Sequence, residues 1–333
     1  MKTHRKVPWT GATRNLLLGL LEIGAAILLA VGCITQTRDG SSEGGGGLNG
    51  IVRVRDSFEF HYQATLPELT GPARLWLPLP ETDPFQTIEV KALDVPGESR
   101  VIRDRDYGNR ILFVELGPDD GWKTITMDFE VVRREKTAYE SSAPEGGPDP
   151  SADRVGAAHE PVLALARHVT ADKKTDQERA WALFDHVVAL RGEADAIYFI
   201  ALARAAGIPA RFAAGASIPS GPGEGGIDDL KGWAEFYADG KWQPVDVSEA
   251  GSHPGLAAYC FNHHSANRFE LSRGQDLVVF PLPGSGPIRV LAYPVLEVAG
   301  RPVRPEVALS FRRTEVSRLV NLIMRNAVGM VAP

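Results

Sequence analysis

The chain is poor in cysteine. Its 333 residues include only Cys33 and Cys260, far apart in sequence, so no disulfide framework is expected. It is also poor in basic charge: 36 Lys and Arg stand against 42 Asp and Glu, a formal net charge of −6. Neutralising a phosphate backbone needs a basic face. None is visible, so a nucleic-acid partner is not expected. No solenoid-type repeat is present. The remaining composition, 44% hydrophobic and 23% charged, is that of an ordinary globular protein. The length allows two domains with sizeable cores.

The first 33 residues have the layout of an export leader. Lys2, Arg5, Lys6 and Arg14 form a basic region. An apolar run from Leu16 to Val31 follows, interrupted by Glu22. It is shorter than the about 20 residues of a comfortable membrane span, and its flanks match a signal segment. The run ends in Ala30-Val31-Gly32-Cys33. Small residues before a cysteine resemble a bacterial lipobox, with Ala30 where that motif usually has leucine. The resemblance implies that Cys33 is acylated and becomes the new N-terminus, placing the protein in the cell envelope. Residues 34–50, with the run GSSEGGGG, read as a flexible tether.

Residues 51–138 read as a β-sandwich. Phe58, Phe60 and Tyr62 alternate with Glu59, His61 and Gln63, which predicts a strand with one buried face. Further strands are predicted over 73–79, 87–93, 111–116 and 124–132. Turn signals separate them, such as Thr70-Gly71-Pro72 and Asp119-Asp120-Gly121. His61 is read as a solvated strand residue, and no chemistry is assigned to this region. Residues 139–153, rich in Ser, Pro and Gly, read as a linker.

A second folded region covers residues 154–301. Helices are predicted over 159–169 and 176–190, the second with Thr175 as N-cap. A third, central helix runs into Phe199–Ala206. Gly207 stops it, Pro209 prevents continuation, and a strand follows over 210–217. After the glycine-rich loop 220–226, Trp233–Tyr237 and Trp242–Val247 form a hairpin around Ala238-Asp239-Gly240. The sequence RAAGIPAR at 204–211, Trp-x-Glu at 233–235 and Trp-x-Pro-Val-Asp at 242–246 together resemble the transglutaminase-like, papain-type proteins. Tyr259, Phe261, Asn267-Arg268, SRGQDL at 272–277 and YPVLEVAG at 293–300 extend the resemblance. It implies an α+β fold: an N-terminal β-sandwich, then a papain-like core with helices packed on an antiparallel sheet.

The resemblance also implies a Cys-His-Asp triad, and here most of it is missing. The cysteine position, twelve before Arg204, holds Gly192; a gap of one or two residues would move it to Glu193 or Ala194. The histidine position, two before Trp233, holds Lys231. The aspartate position holds Asp246. No intact catalytic set is expected, and an ion pair between Lys231 and Asp246 is expected in its place. Trp233, Glu235 and Trp242 are read as architecture of the cleft, through ring burial and a hairpin hydrogen bond.

Two other strings are weak. Cys260 with His263 and His264 lacks a fourth metal ligand, and reads as a small buried strand residue beside surface histidines. Asp246, Ser248 and His253 resemble a serine-hydrolase set only by proximity. His168 and His186 read as surface residues of helices. Neither a metal nor a cofactor is expected.

The C-terminal extension 302–333 carries an apolar stretch, 316–331, that fits either a docked helix or a partner-binding one. The reading is therefore a non-catalytic, envelope-tethered binding or scaffolding protein, taking a peptide or protein ligand and meeting the membrane through its lipid. The alternative is an active amide hydrolase or acyl transferase with a displaced nucleophile.

Overall fold

Period-2 alternation builds the first strand, β1 (Arg55–Thr65), which buries Phe58, Phe60, Tyr62 and Ala64 completely. The computed structural model describes residues 52–140, 160–190, 195–221 and 223–314. The leader with Cys33, the tether, most of the linker, Gly192 to Ala194 and the 316–331 stretch lie outside the described residues. The described part falls in one compact unit.

After β1 come β2 (Ala73–Pro78), β3 (Gln86–Asp94), β4 (Glu98–Arg103), β5 (Arg110–Leu116) and β6 (Thr124–Arg134). Helices α1 (Glu160–Thr170), α2 (Asp176–Ala189) and α3 (Ala196–Ala205) follow. Then come β7 (Ala210–Ser217), β8 (Glu224–Gly226), β9 (Leu230–Ala238) and β10 (Lys241–Val245). Short helices α4 (Val247–Ser252) and α5 (Ala257–Cys260) precede β11 (Arg268–Arg273). The described residues close with β12 (Val295–Val298), β13 (Arg301–Val303) and β14 (Glu306–Arg313).

Two five-stranded sheets, β3-β6-β1-β14-β8 and β13-β12-β2-β5-β4, face each other across one core. Phe58, Phe60, Met127 and Phe129 meet Leu75, Leu77, Leu112 and Val114 there. This is an α+β protein in which the strand pairings among the described residues are antiparallel. The sandwich is not built from 51–138 alone. β14 pairs with β1 and β12 pairs with β2, so residues from 295 to 313 supply strands to both sheets. The glycine-rich loop adds β8 beside β14. A local reading of the sequence cannot foresee the returns of β14 to β1 and of β12 to β2, because those partners lie far apart along the chain.

The third sheet, β10-β9-β7-β11, carries the helices on one face. Phe184, Phe199, Ile200 and Ala203 bury against Phe212, Ala234 and Phe236. The Phe199 and Phe236 rings meet edge-on at 6.2 Å. From β11, Phe269 enters the sandwich core and packs on Phe60 with ring centroids 4.9 Å apart. The two lobes thereby share apolar contacts as well as strands. Among the described residues no helix is long and apolar enough to cross a membrane.

Candidate functional site

The stretch after α3 acts as a clasp between helix and sheet. Gly207 takes φ +78°, which lets the chain turn back at the helix end. Arg204 donates Nε–H to the Ala210 carbonyl at 2.9 Å, and Ile208 is fully buried. The Pro209 carbonyl accepts from Tyr237 N–H at 2.8 Å, joining the clasp to β9. At its start, α3 is capped by Asp195, whose carboxylate accepts from Ile197 N–H at 2.8 Å.

The β9–β10 hairpin turns at Asp239-Gly240, with φ values of +53° and +76°. These are the two positive angles of a type I′ turn. On β9, Lys231, Trp233 and Glu235 alternate onto the face away from the helices, and their environments differ. Lys231 is exposed, whereas Trp233 and Glu235 are buried. Asp246 follows β10 and is also buried.

The expected pair between Lys231 and Asp246 does not form. Asp246 instead accepts from Arg268 Nε at 2.8 Å. Its other carboxylate oxygen accepts from Glu249 N–H at 3.0 Å, capping α4. Arg268 also donates to Glu249 and, at 2.9 Å, to Ser217 Oγ. The reason is competition. Arg268 brings a planar, multidentate guanidinium from a buried position in β11, while the Lys231 ammonium keeps its hydration.

Glu235 is the centre of a second ionic cluster. Its cross-strand neighbour is Pro244, which has no N–H, so the expected hairpin hydrogen bond has no backbone donor there. The carboxylate accepts from Lys136 at 2.5 Å, Arg211 at 2.8 Å and the Tyr139 hydroxyl at 2.9 Å. Lys136 is fully buried and also meets Glu270 at 2.8 Å; Glu270 in turn holds Arg273 at 2.5 Å. Burial alone would raise the Glu235 and Glu270 carboxyls. For Glu235, Lys136 and Arg211 outweigh it and hold the group well below the usual range. For Glu270, Arg273 and Lys136 do the same, pulling it down to about 2. Arg211 lies over the Trp242 ring, 3.7 Å from its centroid, and Tyr237 meets the same ring edge-on.

The other candidate strings do not assemble into known chemistry. Cys260 lies in α5, not in a strand, and is buried. Burial, then the charges of Asp246 and Glu249, push its thiol up to about 12, the opposite of an activated nucleophile. It lines a space of about 10 Å³ together with Asp246, His263 and Arg268. His263 stacks on Tyr259 at 5.0 Å. His264 is not at the surface: it is buried beside Trp233, and burial holds its imidazole down at about 4. His253 pairs with Glu249 at 2.8 Å rather than with Asp246, and Ser248 is exposed. His61 bonds Asp128 at 2.8 Å on the outer face of the sandwich. Among the described residues no group of three or more His, Cys, Asp or Glu is placed to hold a metal.

Residues 150–247 match the family model of the transglutaminase-like superfamily. The chain carries a transglutaminase-like domain. The matched span ends one residue after Asp246, and within it lie α3, the clasp and the hairpin. An uncharacterized protein of Haemophilus influenzae is 24% identical to the chain over 321 aligned residues, covering 74% of this chain and 86% of that one. Among solved structures, one from Parabacteroides distasonis, described as a "putative protease", is similar at 12% identity and a TM-score of 0.23. That similarity covers 58% of this chain and 64% of the other, less than two thirds of its length.

The domain's buried partners were not all readable from sequence. Arg268 belongs to the Asn267-Arg268 motif, but no local spacing ties it to Asp246. Lys136 stands just before the linker, where a charged residue reads as surface. Its signal is indirect: Glu235 stands between Ala234 and Phe236, Glu270 between Phe269 and Leu271, and a buried carboxylate requires a cation.

Proposed function

We propose that this chain is a non-catalytic, envelope-tethered protein whose transglutaminase-like domain binds or scaffolds a peptide or protein. The observation that carries this reading is the engagement of Asp246. The carboxylate that would orient a catalytic imidazole is taken up by Arg268 and by the α4 cap. Arginine stays protonated in proteins and cannot serve as a base. Lys231, at the position of that imidazole, is exposed and forms no ion pair with Asp246. The one cysteine among the described residues is buried with a raised pKa. The tether is supported by the basic and apolar leader ending at Cys33.

Two measurements test the proposal. Thiol-directed probes at neutral pH should label Cys260 slowly in the folded protein and rapidly once it is unfolded. Labelling of folded Cys260 at the rate of a free thiolate would favour the displaced-nucleophile reading. Mass spectrometry of the mature N-terminus should find a lipid-modified Cys33. An unmodified Met1 there would remove the tether from the proposal.

A further inference from the structure

A groove of about 650 Å³ opens between the start of α2 with the residues just before it and the end of α5 with Phe261 and Asn262. Neither Asp246 nor Lys231 lines it. Its floor has a particular composition. Trp181 is 38% exposed, yet its ring is held in place. Phe261 meets it edge-on at 4.8 Å, and Phe184 lies 5.7 Å away. An aromatic surface fixed in advance loses little freedom when a ligand covers it.

Gln177 lies one helical turn before Trp181 on α2, so both share a face. Asn262 stands opposite, held at φ +83°, with its N–H bonded to the Pro244 carbonyl at 2.9 Å. The side-chain oxygens of Gln177 and Asn262 are buried, and neither has a hydrogen-bond partner. Leaving an amide oxygen unpaired is unfavourable. The terminal amide torsion is soft, so each oxygen can turn toward a donor entering the groove.

The rim carries no net charge. Asp172 and Glu178 offset Lys173 and Lys174. Lys173 pairs with Asp172 at 3.0 Å, and Glu178 is committed to the N–H groups of Lys174 and Thr175. The groove therefore asks for a neutral ligand with one apolar face and several donors at its edge.

We propose that this groove binds a saccharide, with a pyranose ring on Trp181 and hydroxyl groups donating to Gln177 and Asn262. The C–H bonds on one face of a pyranose are weakly positive and match the negative face of an indole. Ring hydroxyls radiate at the edge, where the two amides stand. A peptide fits less well. An extended peptide needs an open backbone edge, and a helical one needs several apolar anchors. The α2 wall has its backbone bonded internally, and Trp181 is its one half-exposed ring.

The test titrates the full chain with methyl β-glucopyranoside, maltose and chitobiose, and separately with N-acetyl-triglycine amide. Calorimetry reads binding, and intrinsic fluorescence reports on tryptophan. Binding of at least one saccharide is expected, with a change in emission that Trp181→Ala abolishes. Because Trp181 also packs on Phe261, Gln177→Leu serves as the second variant. It should weaken binding about tenfold or more, as loss of a bonded acceptor does, with an unchanged melting temperature. The proposal is overturned if no saccharide binds at tens of millimolar. Binding of the peptide alone overturns it equally, as does saccharide binding that Gln177→Leu leaves unchanged.

Discussion

Arg268 donates its Nε–H to Asp246 Oδ2 at 2.8 Å, and the two side chains are only 5% and 6% exposed. The pair joins the end of β10 to the start of β11. Desolvating both ions is costly, and the cost is met here by extra hydrogen bonds: Asp246 to the α4 cap, Arg268 to Ser217 and Glu249. Breaking such a pair from one side strands a buried charge.

Asp246→Ala should therefore destabilise the protein by about 3–5 kcal/mol in urea unfolding, the range for stripping a buried ion of its partner. Lys231→Met, at an exposed position, should stay within about 0.5 kcal/mol of the parent. The reverse order would restore the Lys231–Asp246 pairing.

The Glu235–Lys136–Glu270 cluster sets an acid limit. Glu270 has a folded pKa of about 2, pulled below its ordinary value of 4.5 by Arg273 and Lys136 against the opposing effect of burial. A depressed carboxyl contributes stability above its unfolded pKa and loses it as pH falls through the folded one. Unfolding free energy should drop between about pH 4.5 and 2. Glu270→Gln should be less stable at neutral pH and flatter across that window, as read from urea midpoints. An unchanged slope would place the acid sensitivity elsewhere.

His264 acts in a different window. Burial holds its folded pKa at about 4, below the ordinary 6.5. The unfolded chain binds the proton first, so stability should fall as pH drops from 6.5 toward 4. The whole contribution is on the order of 3 kcal/mol. His264→Gln should remove this part of the pH dependence and leave the Glu270 window intact. Retention of the pH 4–6.5 slope in that variant would count against a buried neutral imidazole.

At Gly215 the backbones of β7 and β11 leave no room for a side chain. A methyl group there would lie 1.8 Å from the Phe269 carbonyl oxygen, which is backbone and cannot step aside. Gly215→Ala should separate the two strands locally and lower the melting temperature by many degrees. A variant that melts with the parent would show that the strands have room.

Much of the local structure was legible because it depends on neighbours in sequence. The strand over 210–217, the stop at Gly207 and the turn at Asp239-Gly240 each rest on residues with few backbone options. The alternation of Phe58, Phe60 and Tyr62 gave the buried face of β1 for the same reason. β4 was not legible: Glu98–Arg103 is mostly exposed and has no clean alternation. The completion of the sandwich by β12 and β14 was hidden by distance along the chain. The partners of the candidate site residues were not legible. Lys231 stands on β9, but Asp246 lies past the end of β10 as the cap of α4, and its partner is Arg268, which arrives from another strand. The apolar Tyr259-Cys260-Phe261 run reads as part of a strand. The structure makes Cys260 the last residue of a short helix.

The central claim is that the Asp246 site no longer performs acyl chemistry. It is tested most directly by turnover. Purified full chain is incubated with a glutamine-containing protein and a fluorescent amine, and in parallel with peptide amides, and product is followed by mass spectrometry. The account predicts no product above that of a heat-inactivated sample, for the parent and for Cys260→Ser alike. Turnover in the parent that Cys260→Ser abolishes would contradict it and establish a displaced nucleophile.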